Sequence, residues 1–80
     1  MELAKCYLEC AKLEKTLENE FGSLKIFSNK ISDFKIQIIK IFPFENPTNS
    51  NNYIVMIKTK HLDSSVEKYM DYKTLIENYF

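Results

Sequence analysis

Phe34-Lys-Ile-Gln-Ile-Ile-Lys-Ile-Phe-Pro-Phe-Glu-Asn-Pro47 is the stretch that decides the fold. Phe34, Ile36 and Ile38 alternate with Lys35 and Gln37, the two-residue period of a strand with one buried face. After Ile38 the alternation fails, because Ile39, Ile41 and Phe42 put apolar groups on both sides. Tyr53-Ile-Val-Met-Ile57 behaves alike, with Tyr53, Val55 and Ile57 on one side and Ile54 and Met56 on the other. Asn46-Pro-Thr-Asn-Ser-Asn-Asn52 between them is turn chemistry, since Asn and Pro favour the dihedrals a reversal needs. One face of such a sheet covers the chain's own helix. The second apolar face needs a cover from elsewhere, so Ile39, Ile41, Ile54 and Met56 are the candidate partner-facing positions of the head.

Upstream, residues 2 to 20 hold no glycine or proline and are rich in Leu, Ala, Glu and Lys, which favour helix. Leu3, Cys6, Cys10, Leu13 and Leu17 recur at the alternating three- and four-residue spacing of a coiled-coil seam. An amphipathic helix lying on its own sheet would give a related pattern. The narrow seam and the charged opposite face (Glu2, Lys5, Glu9, Lys12, Glu14, Lys15, Glu18) favour the coiled coil, with Tyr7 and Leu8 as a further apolar contact. Gly22, the sole glycine, stands where the helix should stop. The spacing thus predicts a stalk over residues 1–21 and a globular head over 22–80.

A short strand is expected from Leu24 to Ser28, then a polar turn over Asn29 to Asp33. Beyond the third strand, Ser64 and Glu67 fit a capping box, and Val66, Tyr69 and Met70 an apolar helical stripe. Asp71 can cap a further turn in which Tyr72, Leu75, Ile76, Tyr79 and Phe80 bury. The fold class is therefore α+β: an N-terminal helix, a small antiparallel three-stranded sheet, and short C-terminal helices.

Eighty residues with 45% apolar content suit one small domain near the limit of independent stability. Cys6 and Cys10 share one helix face four residues apart, a poor disulfide geometry, so both read as reduced packing residues. Eleven acids balance eleven bases. That argues against the net basic field of a nucleic-acid binder, although Lys25, Lys30, Lys35, Lys40, Lys58 and Lys60 make the middle locally basic. No apolar run approaches the roughly 20 residues that cross a bilayer.

Chemistry finds little support. His61 is the one histidine and has no Cys, Asp or Glu partners at ligand spacing. A thiol–imidazole pair from Cys6 or Cys10 with His61 would bury its nucleophile. A single glycine excludes a phosphate-cradling loop, and the carboxylates sit on outward helix faces. The expectation is a non-enzymatic module without cofactor or metal.

The order of helix, strands and closing helix resembles the RWD-type domains of the kinetochore. Phe42-Pro-Phe-Glu-Asn-Pro47 is similar to their aromatic-Pro-x-x-x-Pro turn. The whole chain resembles the globular heads of the Spc-twenty-five family of the Ndc-eighty complex. The matching segments are Leu17-Glu-Asn-Glu-Phe-Gly22, Phe34 to Pro47, Tyr53 to Ile57, and Asp71-Tyr-Lys-Thr-Leu-Ile-Glu-Asn-Tyr-Phe80. The segment from Ile57 to Val66 is shorter than that family's, and so is the stalk. The resemblance implies a nuclear kinetochore adaptor that forms a heterodimer with an Spc-twenty-four-like sister. It would meet an inner-kinetochore receptor peptide and link microtubule-binding subunits to the centromere during mitosis, with no membrane and no direct nucleic-acid contact. Two other readings carry different partners. The element order also suits a double-stranded-RNA-binding module, whose final helix usually starts with lysines where this one has Asp63-Ser-Ser-Val-Glu67. A phage-type inhibitor occupying a host enzyme's surface is the other.

Overall fold

The computed structural model describes residues 1–28, 34–48 and 51–79. Helix α1 (Leu3–Phe21) leads into strands β1 (Ile26–Ser28), β2 (Lys35–Glu45), β3 (Tyr53–His61) and β4 (Glu67–Asp71), and helix α2 (Tyr72–Tyr79) closes the chain. The strands form one antiparallel sheet in the order β1-β2-β3-β4. The class is α+β, as the periodicities require, but with a fourth strand.

Helix α1 ends as composition dictates. Gly22 has φ of +86°, a conformation that costs a side-chain-bearing residue, and its N–H donates to the Glu18 carbonyl at 2.8 Å. The far end of the helix is tied to the sheet, because the Tyr53 N–H donates to the Met1 carbonyl at 2.8 Å.

The core lies between the helices and one sheet face. Leu17 of α1 and Leu75 of α2 meet Phe27, Ile36, Ile38 and Ile57, with Leu13, Phe21, Ile41, Val55 and Met70 packed around them. Thr59 is the buried polar residue of this layer, and its hydroxyl donates to the Lys68 carbonyl at 3.3 Å. Because Leu17 and Phe21 belong to the same core as the strands, α1 is a layer of the head rather than a stalk set apart from it at residue 21.

The failure of alternation after Ile38 has a structural cause. The β2–β3 register shifts between Ile38 and Lys40, a bulge that places an extra residue in β2. Before it Ile38 faces Thr59; after it Ile41 faces Ile57. Two inward runs of opposite phase, Ile36–Ile38 and Ile41–Pro43, are thereby joined on one face. Strand β1 pairs only Lys35, Ile36 and Gln37 of β2, so among the described residues no strand flanks Lys40–Glu45 on that side.

The predicted helix around Val66–Met70 is instead β4. Ser65 adopts a left-handed φ of +60°, its N–H bonds the His61 carbonyl at 2.9 Å, and the His61 N–H bonds the Val66 carbonyl at 2.9 Å. These contacts make Leu62–Ser65 a hairpin reversal, so Ser64 and Glu67 form no capping box. Met70 then faces Ile57 inward while Tyr69 faces Lys58 outward, a two-residue period that a stripe of three apolar residues did not distinguish from a helical one. The expected turn over 29–33, the middle of the 46–52 turn and the burial of Tyr79 and Phe80 fall outside the residues and side chains described.

Ile57 is fully buried on a central strand, whereas Ile39 at the bulge is 44% exposed. Ile57→Ala should therefore cost about 2–5 kcal/mol in urea denaturation, and Ile39→Ala under about 1 kcal/mol.

Candidate functional site

The predicted seam is mostly spent inside the chain. Cys6, Cys10 and Leu17 are buried, Leu13 is half-buried against the core, and only Leu3, 41% exposed, lies open. Residues spaced to meet a partner helix meet the sheet instead, since a narrow apolar stripe serves either surface. Tyr7 and Leu8 remain exposed on α1. A coiled coil over this seam would need the core opened.

Both thiols are free. Burial, with the neighbouring Cys6 second, pushes the Cys10 pKa up to about 11. The thiolate that would act as nucleophile or ligand is suppressed. Among the described residues no three His, Cys, Asp or Glu side chains group to hold a metal. His61 lies at the end of β3 with its ring edge-on to Phe34, centroids 6.2 Å apart. Among the described residues no helix is long and apolar enough to cross a membrane.

Of the four predicted head positions, register assigns Ile41 to the inner face, where it packs on the core. The bulge is what moved it. Ile54 and Met56 lie on the outer face opposite Phe44 and Phe42, and Ile39 is exposed at the bulge. Neither helix covers this outer face, because both contribute to the core on the other side. It presents Phe42, Phe44, Ile54 and Met56 toward one end and Tyr69 beside them, with Lys40 and Lys58 next along the sheet and Lys35 and Lys60 beyond. Phe42 and Tyr69 meet edge to face at 6.0 Å and 90°. The Lys40 ammonium stands 5.3 Å from the Phe42 ring centre and that of Lys58 5.9 Å from Tyr69. Lys58 also bridges to Glu67 at 2.9 Å. This contact raises the lysine's pKa and lowers the glutamate's, and solvent exposure keeps the pair weak. Phe42, Phe44 and Tyr69 belonged to no predicted site; their shared outward phase follows only once the bulge is known.

A second surface was not predicted. A groove of about 620 Å³ runs along the flank of α1, lined by Leu13, Thr16 and Val55 and by Lys12, Tyr72 and Lys73. Through Leu13, Thr16 and Tyr72 it continues into a hollow of about 440 Å³ that Leu17, Phe21 and Ile76 complete between the two helices. Asp71 sets this wall. Its carboxylate accepts the Thr74 N–H at 2.8 Å, capping α2 as its position before the helix suggested, and those bonds with Thr74 lower its pKa.

Compared with protein-family models, curated proteins and solved structures, the chain matches none.

Two outcomes test this geometry. Asp71→Ala should lose about 1 kcal/mol at neutral pH. Because the folded pKa is depressed, the cap's contribution is present above the ordinary aspartate range and fades as pH falls through the lowered value. Denaturation curves of parent and variant should therefore converge in acid. Secondly, Cys6 and Cys10 should resist a thiol reagent in buffer and react fully in denaturant; rapid native labelling of either would contradict their burial.

Proposed function

We propose that this chain is an RWD-like, non-enzymatic adaptor of the kinetochore. In this reading it pairs with an Spc-twenty-four-like sister in the nucleus and helps tie microtubule-binding subunits to the centromere through an inner-kinetochore receptor. The observation that carries the pairing is the groove beside α1. One wall is a 19-residue helix, about 28 Å long at 1.5 Å per residue, and the opposite wall is α2. Half-buried Leu13 and exposed Tyr72 line both halves, with Ile76 beyond. A trough with Leu13, Val55 and Tyr72 along it and charged Lys5, Glu9, Lys12 and Lys73 at its margins suits an amphipathic third helix, the groove-binding mode of association.

The seam proposed from heptad spacing is thereby replaced by its neighbouring flank. Leu13 is shared by both, and Leu17 lines the hollow into which the groove continues. Further support comes from element order. A helix, an antiparallel meander and a closing helix follow one another; of the segment read as a turn, Phe42–Glu45 instead lies within β2, opposite Met56 to Tyr53, and only Asn46 and Pro47 fall beyond it.

Co-expressed with a sister subunit, the chain should elute as a one-to-one complex on size-exclusion chromatography. Leu13→Ala combined with Tyr72→Ser should release the sister while far-ultraviolet circular dichroism stays unchanged. Co-elution unaffected by the double change would overturn the groove as the interface. Failure of any sister to co-elute with the parent would overturn the adaptor reading.

A further inference from the structure

The balanced composition conceals an uneven distribution of charge. The outer sheet face carries Lys35 and Lys40 of β2 and Lys58 and Lys60 of β3. Against these four stands Glu67 of β4, already bound to Lys58, while the Asp71 carboxylate is turned to Thr74. The helical side is nearly balanced, α1 holding Glu9, Glu14, Glu18 and Glu20 with Lys5, Lys12 and Lys15, so the excess of cations falls on the sheet face. Lys40 and Lys58 are direct cross-strand partners, a like-charge juxtaposition that weakens a sheet. An anion between them would relieve it.

Next to these cations along the sheet lie rings, Tyr69 level with Lys40 and Lys58 and then Phe42 and Phe44 toward the Ile54 end. Phe44 is 43% and Tyr69 62% exposed, on either side of the strand carrying Met56, and Phe42 joins Tyr69 edge to face. Aromatic side chains standing on an open antiparallel sheet among lysines are the elements of a stacking platform. Unpaired bases lie on rings irrespective of sequence, and cations meet the phosphates between them. An acidic peptide would use the lysines but has no need of exposed rings. A duplex would offer phosphates while hiding its base faces.

We propose that the open face of the sheet binds single-stranded nucleic acid, with bases stacked on Phe44 and Tyr69 and phosphates held by Lys35, Lys40 and Lys60. This goes beyond the adaptor reading and uses the opposite side of the molecule. Of the acidic Asp63–Glu67 segment, which argued against a duplex-binding module, Glu67 lies on this face and is paired to Lys58.

The test is fluorescence anisotropy of labelled oligo-dT and oligo-U of about eight nucleotides with the full chain, since a stacking module of this kind spans about that length. Binding should weaken with salt at a log–log slope of about −2, three phosphates at about 0.7 each. Phe44→Ala and Tyr69→Ala should each reduce affinity about tenfold. Lys40→Gln with Lys60→Gln should flatten the salt slope. Both ring residues are exposed, so circular dichroism should be unaltered; should either ring variant misfold, the lysine pair decides alone. Absence of saturable binding to either oligonucleotide in low salt overturns the proposal. So does equal affinity for a blunt duplex or for polyglutamate, the latter identifying an acidic-peptide surface instead. Loss of this binding with sister co-elution intact separates it from the groove.

Discussion

Everything in this molecule depends on two helices sharing a single side of the sheet. Leu17 and Leu75 come from opposite ends of the chain and close over Ile36, Ile38 and Ile57. Full burial of an aliphatic side chain contributes about 1.5–3 kcal/mol, and a chain of 80 residues offers few such positions. Concentrating them in one layer gives a continuous core. The same choice leaves the far side of the sheet without a cover, and Phe44 and Tyr69 stand in solvent for that reason.

The bulge after Ile38 adjusts the sheet to that arrangement. Without it, the phase set by Ile36 and Ile38 would carry Phe42 and Phe44 inward and expel Ile41. With it, medium-sized aliphatics fill the space beneath α1 and the rings turn outward among lysines. One inserted residue thus separates the packing chemistry of β2 from its surface chemistry.

Local signals of helix start, stop and strand period were legible from sequence alone. The length of α1, its arrest at Gly22, the course of β2, the start of β3 and the Asp71 cap all follow from side chains acting on their own backbone, whereas β3 runs on past Ile57 to His61. What escaped were choices between surfaces. The heptad stripe of α1 fits a partner helix and a sheet equally, and only three-dimensional proximity to Ile36 and Ile57 selects the sheet. Ile41 changed faces because a bulge is a register event between strands, invisible in either strand separately. The β4 segment reads as helix in sequence because Val66, Tyr69 and Met70 are too few to fix a period. The groove involves α1, β3 and α2 together, so no single segment announces it.

The margin of β2 beyond Ile38, open among the described residues, has a bearing on how this molecule behaves in a crowd. A bare strand edge rich in isoleucine and phenylalanine is a template onto which further chains can add, the first step toward fibrils. Pro43 sits midway along Lys40–Glu45 and brings no amide hydrogen to such an addition, while Lys40 sets a charge at the entrance. The residue that catches the eye in the proline motif thus also stands as a guard against edge-to-edge addition along this border.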